Sequence, residues 1–260
     1  GTITTGAALI ELVLAGGYPE ALARKSWGRK QDWYGGYLDA IIQRDIQDIA
    51  QIEQLAAMPK LLSVLAEYSG QLVNYTGLGS AVGLNHVTTR KYLGILEAAF
   101  LVQTLPPWFT NRIKRITKSP KLHFLDSGLL AAQRGLIPKA LESDKTPFGA
   151  ILETFVLSEL MKIANWSEDR FRFSHYRDKD GNEVDVVVET RSGDVVGFEV
   201  KASATVSGGD FSGLRKLQEA TGDKFCQGVV LYDGDTVIPF GDKLIAAPIS
   251  ALWSGQRHIT

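Results

Sequence analysis

Glu183-Val184-Asp185-Val186-Val187-Val188-Glu189 and Val195-Val196-Gly197-Phe198-Glu199-Val200-Lys201 are the two stretches whose reading decides the fold. Both are rich in β-branched residues, and the turn signal Arg191-Ser192-Gly193-Asp194 lies between them, which predicts a β-hairpin. Glu199 and Lys201 are two apart and share a face, while Phe198 and Val200 point the other way. Asp185 is a carboxylate set into an apolar run. A hairpin centred near Ser192 or Gly193 places it opposite Glu199 or Lys201. Two carboxylates with no guanidinium between them repel, and a divalent cation relieves that repulsion. A lysine beside them can orient a water or steady charge on a phosphate. An amphipathic hairpin with charges on its wet face gives the same pattern, so the motif needs support from the rest of the chain.

The chain has 260 residues, room for one large domain or two small ones. Hydrophobic residues make up 45% and charged residues 22%, which predicts an ordinary globular protein rather than a disordered one. No apolar run approaches the roughly 18–20 residues that cross a bilayer, and no basic-then-apolar signal opens the chain, so a cytoplasmic location without membrane contact is expected. The single cysteine, Cys226, excludes an intrachain disulfide and a Cys-based zinc site, and it reads as a buried filler. The chain opens on Gly1-Thr2 and its methionines are Met58 and Met161, which suggests a piece of a longer protein.

Charge is unevenly spread. Residues 60–121 hold 8 Lys/Arg against 2 Asp/Glu, a net of +6, whereas the whole chain carries −1. A basic middle and an acidic end predict domains with different tasks. Four segments are expected: a helical arm over 1–58, a winged helix-turn-helix over 59–127, a linker over 128–147 and a second domain over 148–260. The arm holds an amphipathic helix from Trp33 to Ile52. In the second segment Met58-Pro59 opens one helix, and Asn85 caps another from His86 to Ala98. Phe100–Leu105 and Lys121–Leu125 read as a two-stranded ribbon. This order matches a winged helix-turn-helix, with His86, Arg90 and Lys91 on the outward face of the recognition helix. The run Arg112, Lys114, Arg115 and Lys118 would form the wing, and DNA is the partner the charge favours. The last segment reads as a helix over 149–164, three strands, a helix over 211–220 and a further strand, giving an α/β (α+β) fold with a central mixed sheet.

Taken together, Glu153 on the first helix of the last segment, Asp185, and Glu199-Val200-Lys201 resemble the PD-(D/E)XK nuclease superfamily, in the branch of archaeal Holliday junction resolvases. The whole chain resembles the C-terminal region of prokaryotic AAA+-type ATPases. That resemblance is carried by Gly16-Gly17-Tyr18-Pro19-Glu20, Arg44-Asp45-Ile46, Lys121 to Leu129, Asn182 to Asp185, Glu199 to Lys201 and Gly228 to Tyr232. It implies a nuclease-like domain in which Asp185 and Glu199 hold Mg²⁺, Lys201 orients the attacking water and Glu153 is an auxiliary acid. It also implies an upstream ATPase module as partner. No G-x-x-x-x-G-K-[ST] occurs in this chain, so no residue here receives a nucleotide-binding role. Val184, not proline, precedes Asp185, a departure from the superfamily pattern. Fold alone does not carry activity, so the alternative is an inactive nuclease fold and winged helix that tether an ATPase to DNA or to a protein. No Ser/His/Asp or Cys/His nucleophilic set is apparent. His86, His123, His175 and His258 are scattered. On this reading Asp185→Ala removes a charge rather than core packing and leaves the domain folded.

Overall fold

A computed structural model describes residues 3–46, 55–111, 115 and 118–254. It has an α+β fold with a six-stranded mixed sheet and a separate two-stranded one. The chain divides into two compact units. A helical unit comprises Glu11–Thr104 and Ser119–Phe155, and a sheet unit comprises Gly1–Ile10, Leu105–Lys118 and Val156–Thr260.

The helical unit follows from its caps and apolar stripes. After α1 (Gly6–Ala15) and the short α2 (Pro19–Leu22), α3 (Trp27–Ala40) starts where the Ser26 hydroxyl accepts the Arg29 N–H. It runs into a π-helical turn over Ile41–Ile46 that buries Ile42 and Ile46, and the expected extension to Ile52 lies outside the described residues. Next, α4 (Met58–Glu67) begins with Pro59 in its first turn and buries Met58, Leu61, Leu62 and Leu65. Asn74 caps α5 (Tyr75–Val82), which stops at left-handed Gly83. Asn85 caps α6 (His86–Ala98), whose Thr89, Tyr92, Leu93 and Leu96 turn inward. Strands β1 (Val102–Leu105) and β2 (Lys121–Phe124) pair, completing the helix, helix, helix, ribbon order expected of a winged helix-turn-helix.

Two short helices occupy most of the segment 128–147 that was expected to hold a linker. Asp126 accepts the Leu129 N–H to cap α7 (Ser127–Gln133), which buries Leu129, Leu130 and Ala131; α8 (Pro138–Ser143) buries Leu141. Three consecutive small or apolar side chains behind a carboxylate cap make this stretch part of a core.

The helix α9 (Phe148–Asn165), which enters the sheet unit from Val156 on, leads to β3 (Arg172–Arg177), β4 (Glu183–Glu189) and β5 (Val195–Lys201), which pair antiparallel in that order. The crossover through α10 (Ser212–Thr221) then brings β6 (Phe225–Tyr232) in parallel to β5. Beyond it lie β8 (Leu244–Pro248), parallel to β6, and the edge strand β7 (Ile238–Gly241), which the sequence pattern did not reveal. A last turn of helix, α11 (Ala251–Ser254), closes the described chain. Leu214 and Leu217 of α10 sit on Gly197 and Gly228, in a core with Val187, Val195, Phe211, Phe225, Val230 and Leu244. Cys226 is exposed rather than buried, because the register between β5 and β6 shifts past it: Val195 pairs with Phe225 and Val196 with Gln227. Among the described residues no helix is long and apolar enough to cross a membrane.

The start of α10 lies hard against β4. A Cβ added at Gly213 would collide with the Glu183 carbonyl oxygen, so only glycine lets the helix seat there. Gly213→Ala should therefore cost about 1–3 kcal/mol, as overpacking of a close contact does. Chemical denaturation tests this; an unchanged midpoint would mean that α10 does not rest on the head of β4.

Candidate metal centre

Asp185 owes its position to a defect in the sheet. Between the couples Ser174–Val187 and Tyr176–Val184 the register shifts by one, so Asp185 and Val186 together face the single residue His175. That is a β-bulge, which bends the strand and re-aims a side chain. On the other flank, the pairing of β4 with β5 ends at Val186 and Phe198, and Asp185 falls opposite Glu199 one step further on. There the Asp185 carboxylate replaces the ladder: its Oδ2 accepts the backbone N–H of Val200 at 2.9 Å. The side chain is 9% exposed, so this bond is made in a largely dry place.

Glu199 and Lys201 complete the group. Lys201 Nζ lies 3.2 Å from Glu199 Oε1, whose side chain is mostly buried, and 3.8 Å from Asp210 Oδ1. Burial would lower the Lys201 amine, but Glu199 first, then Asp185 and Asp210, outweigh it and hold its pKa above the usual lysine value. Burial would likewise raise the Asp210 carboxyl. The N–H and hydroxyl of Ser207, with Lys201, overcome that and leave its pKa below the usual aspartate range. The sign of each shift fixes its pH window. The Lys201 contribution is complete below about pH 10.4 and is lost as pH rises through its folded value. The Asp210 contribution is present above about pH 3.9 and is lost as pH falls through its folded value. Both are therefore in force at neutral pH.

Asp210 was not foreseen from the sequence, although a signal was there. Ser207-x-x-Asp210 is a capping-box spacing, and both reciprocal bonds form around the 3-10 turn Gly208–Phe211.

Glu153 belongs to the helical unit, where its Oε1 accepts from Lys121 Nζ at 3.0 Å and lies 3.6 Å from His123 Nε2. His86, Arg90 and Lys91 are exposed on α6, with the Arg90 guanidinium 5.8 Å over the Tyr75 ring. Of the expected wing, Arg112 and Lys114 lie outside the described residues. Lys118 is exposed, and Arg115 is engaged: it pairs with Glu189 and lies over the Trp108 ring. Arg115 and Lys118 both belong to the sheet unit.

The donors suit a hard cation. Two carboxylates on adjacent strands offer oxygen ligands, and Mg²⁺ commonly takes one or two carboxylates with water and phosphate filling its octahedron. Among the described residues no group of three or more His, Cys, Asp or Glu side chains is placed to hold a metal ion, so a cation at Asp185 and Glu199 would need water or phosphate for its other ligands.

The bond to Val200 alters the expectation for Asp185. Asp185→Ala leaves a buried N–H without its acceptor and should cost about 1–3 kcal/mol, whereas Asp185→Asn keeps an acceptor and should cost less. Thermal melts of the two variants read the difference, and equal melting temperatures would remove the carboxylate's structural role.

Comparison with known proteins adds lineage. The family described as domain of unknown function DUF8612 matches residues 6–140, and the domain of unknown function DUF4143 matches residues 148–252. Uncharacterized protein Rv2008c of Mycobacterium tuberculosis and uncharacterized protein Mb2031c of Mycobacterium bovis are each 30% identical over 238 residues. The match covers 91% of this chain and 52% of each of theirs, so the chain spans about half the length of these curated relatives. No solved structure matches.

Proposed function

The chain belongs to the DUF8612 family, and from that premise we propose that it is the DNA-binding, nuclease-like region of an AAA+-type ATPase, with a Mg²⁺-dependent phosphodiester-cleaving site at Asp185, Glu199 and Lys201. The observation that carries the reading is the bulge: it turns Asp185 out of the ladder and towards β5, where Glu199 and Lys201 share a face. The strand order supports it as well, since a helix, three antiparallel strands, a helix and a parallel strand is the order the nuclease-like resemblance implies. The other half of the relatives' length would hold the ATPase module.

Asp185 and Glu199 would hold the cation, which supplies Lewis-acid polarisation of a phosphate and a water of lowered pKa. Lys201 stays protonated at neutral pH and orients that water or steadies charge on the phosphate oxygens. Exposed His86, Arg90 and Lys91 would meet the nucleic acid backbone.

One observation favours the alternative of an inactive fold that tethers an ATPase. Lys201 already reaches two acids, Glu199 and Asp210, so a cation has to compete with a built-in ammonium.

The two readings part on a metal titration combined with a cleavage assay on plasmid, linear and branched DNA. A live site binds Mn²⁺ or Mg²⁺ to the folded state and gains about 2.7 kcal/mol at a hundredfold excess over Kd. Glu199→Gln should abolish both that stabilisation and cleavage. Wild-type protein that neither binds metal nor cuts any of the three substrates belongs to the tethering class. On the DNA side, removing Arg90 and Lys91 together should flatten the salt dependence of binding by about 0.9 in log–log slope per lost phosphate contact. An unchanged slope would exclude α6 from the interface.

A further inference from the structure

The far end of the central hairpin carries a cleft in which Asp185, Glu199 and Lys201 take no part. It holds about 260 Å³, and its walls include Trp108, Arg115, Arg172, Glu189 and Lys224, all within the sheet unit. Glu189 ends β4 four residues beyond Asp185, roughly 13 Å along an extended strand, so the two places are separate. We propose that this cleft is a subsite for a phosphate ester, held by the Arg172 guanidinium and the indole N–H of Trp108 on a frame set by Arg115.

The charge pattern leaves one cation over. Arg172 stands directly across the sheet from Glu189, a position in which opposite charges ordinarily pair. Glu189 is taken by a different residue: the two terminal nitrogens of Arg115 donate to its two carboxylate oxygens. Among the described residues no ion pair engages the exposed Arg172 guanidinium. Lys224, by contrast, is offset by Asp194, whose Oδ1 lies 3.3 Å from its Nζ. Three cations therefore meet two carboxylates, and the surplus positive charge is that of Arg172.

Arg115 is fixed from three sides. Its Nε–H donates to the Phe109 carbonyl, its terminal nitrogens donate to Glu189, and its guanidinium lies 5.3 Å over the Trp108 ring. Three of its five N–H groups are used in this way, and one on each terminal nitrogen remains. Trp108 is 6% exposed, and its Nε1–H is buried and donates to nothing among the described residues. A buried donor without an acceptor is costly, and a ligand oxygen against Trp108 would relieve that cost. The uncommitted groups are thus all donors: a free guanidinium, the spare N–H groups of a fixed one, and an indole N–H. The matching ligand is anionic and rich in oxygen acceptors, and a phosphate suits the planar fork of arginine. The volume falls just under the roughly 300 Å³ at which pockets for whole small molecules begin, which fits a phosphate with part of its ester group.

The test uses the whole chain with no divalent cation present, so its outcome and that of the metal site are independent. The probes are inorganic phosphate, adenosine 5′-monophosphate and a short single-stranded DNA, with adenosine as the uncharged control and ionic strength held constant with sodium chloride. Calorimetry reads affinity. The Trp108 indole N–H resonance, assigned by its loss in Trp108→Phe, reads location. At least one of the two esters should bind and shift that resonance, and adenosine should do neither. Arg172→Gln should weaken the binding roughly tenfold or more, the loss of a charge-assisted contact. Trp108→Phe keeps a ring beneath Arg115 and removes the donor, and should weaken it roughly threefold or more. Lys179→Gln, at an exposed lysine elsewhere in the sheet unit, should leave it unchanged. Tighter binding of the monophosphate than of the DNA identifies a free phosphomonoester as the ligand, and the reverse order identifies a phosphate of a nucleic acid strand. The proposal is overturned if neither ester shifts the indole resonance, or if Arg172→Gln or Trp108→Phe binds as the wild type does. Inorganic phosphate that binds without either ester is an adventitious ion only and overturns it as well.

Discussion

The bond from the Val200 N–H to the Asp185 carboxylate joins the two strands where their own ladder has ended. A strand that stops pairing leaves donors exposed, and a buried donor left unpaired costs a large part of a hydrogen bond's full strength. Here the extra residue of the bulge supplies a side chain in place of a carbonyl. The substitution has a second effect. It puts a nearly buried anion at the point where β4 and β5 diverge, and the Lys201 ammonium contributes an opposite charge to its surroundings.

Compensation explains why the site is crowded with acids yet tolerated by the fold. Asp185 is stabilised by a backbone donor, Glu199 by an ammonium, and Asp210 by a serine N–H and hydroxyl as well as the same ammonium. Each carboxylate has a different primary partner, so no single donor is shared to exhaustion. The same wiring keeps the folded state stable with no cation present.

Much of this arrangement was legible in the sequence. Period-two patterning and a turn signal fixed the hairpin, and they put Asp185 across from Glu199 or Lys201; the bulge and the register settled on Glu199. The bulge itself carries no sequence signal, since Val184, Asp185 and Val186 look like any apolar strand with one acid. Asp210 was hidden for another reason: its capping-box spacing is a local signal, while its approach to Lys201 depends on the crossover that follows. Within the segment 128–147, assigned to a linker, the Asp126 cap and the apolar run Leu129, Leu130 and Ala131 form a buried helix. Helices α4 to α6 were plain, each having a cap or an N-terminal proline and an apolar stripe.

Formal charge proves a coarser guide than the residues behind it. Of the eight cations that give residues 60–121 their net +6, Lys121 is 4% exposed and committed to Glu153, and Arg115 is committed to Glu189. Arg112 and Lys114 lie outside the described residues. Lys60, Arg90, Lys91 and Lys118 are exposed, the first three in the helical unit and the last in the sheet unit. A nucleic acid meeting the helical unit therefore finds Arg90 and Lys91 together on the outward side of α6, with Lys60 on a separate helix. Adjacent cations on a capped helix make a defined phosphate contact, whereas a spread-out +6 would make only a diffuse field. The two buried pairs give up electrostatic reach for structure. Lys121, beside His123 and the carboxylate of Glu153, ties β2 to the first turns of α9 within the helical unit. Within residues 60–104, a nucleic acid contact would rest on a few side chains, and its specificity would follow the geometry of α6 more than the charge of the segment.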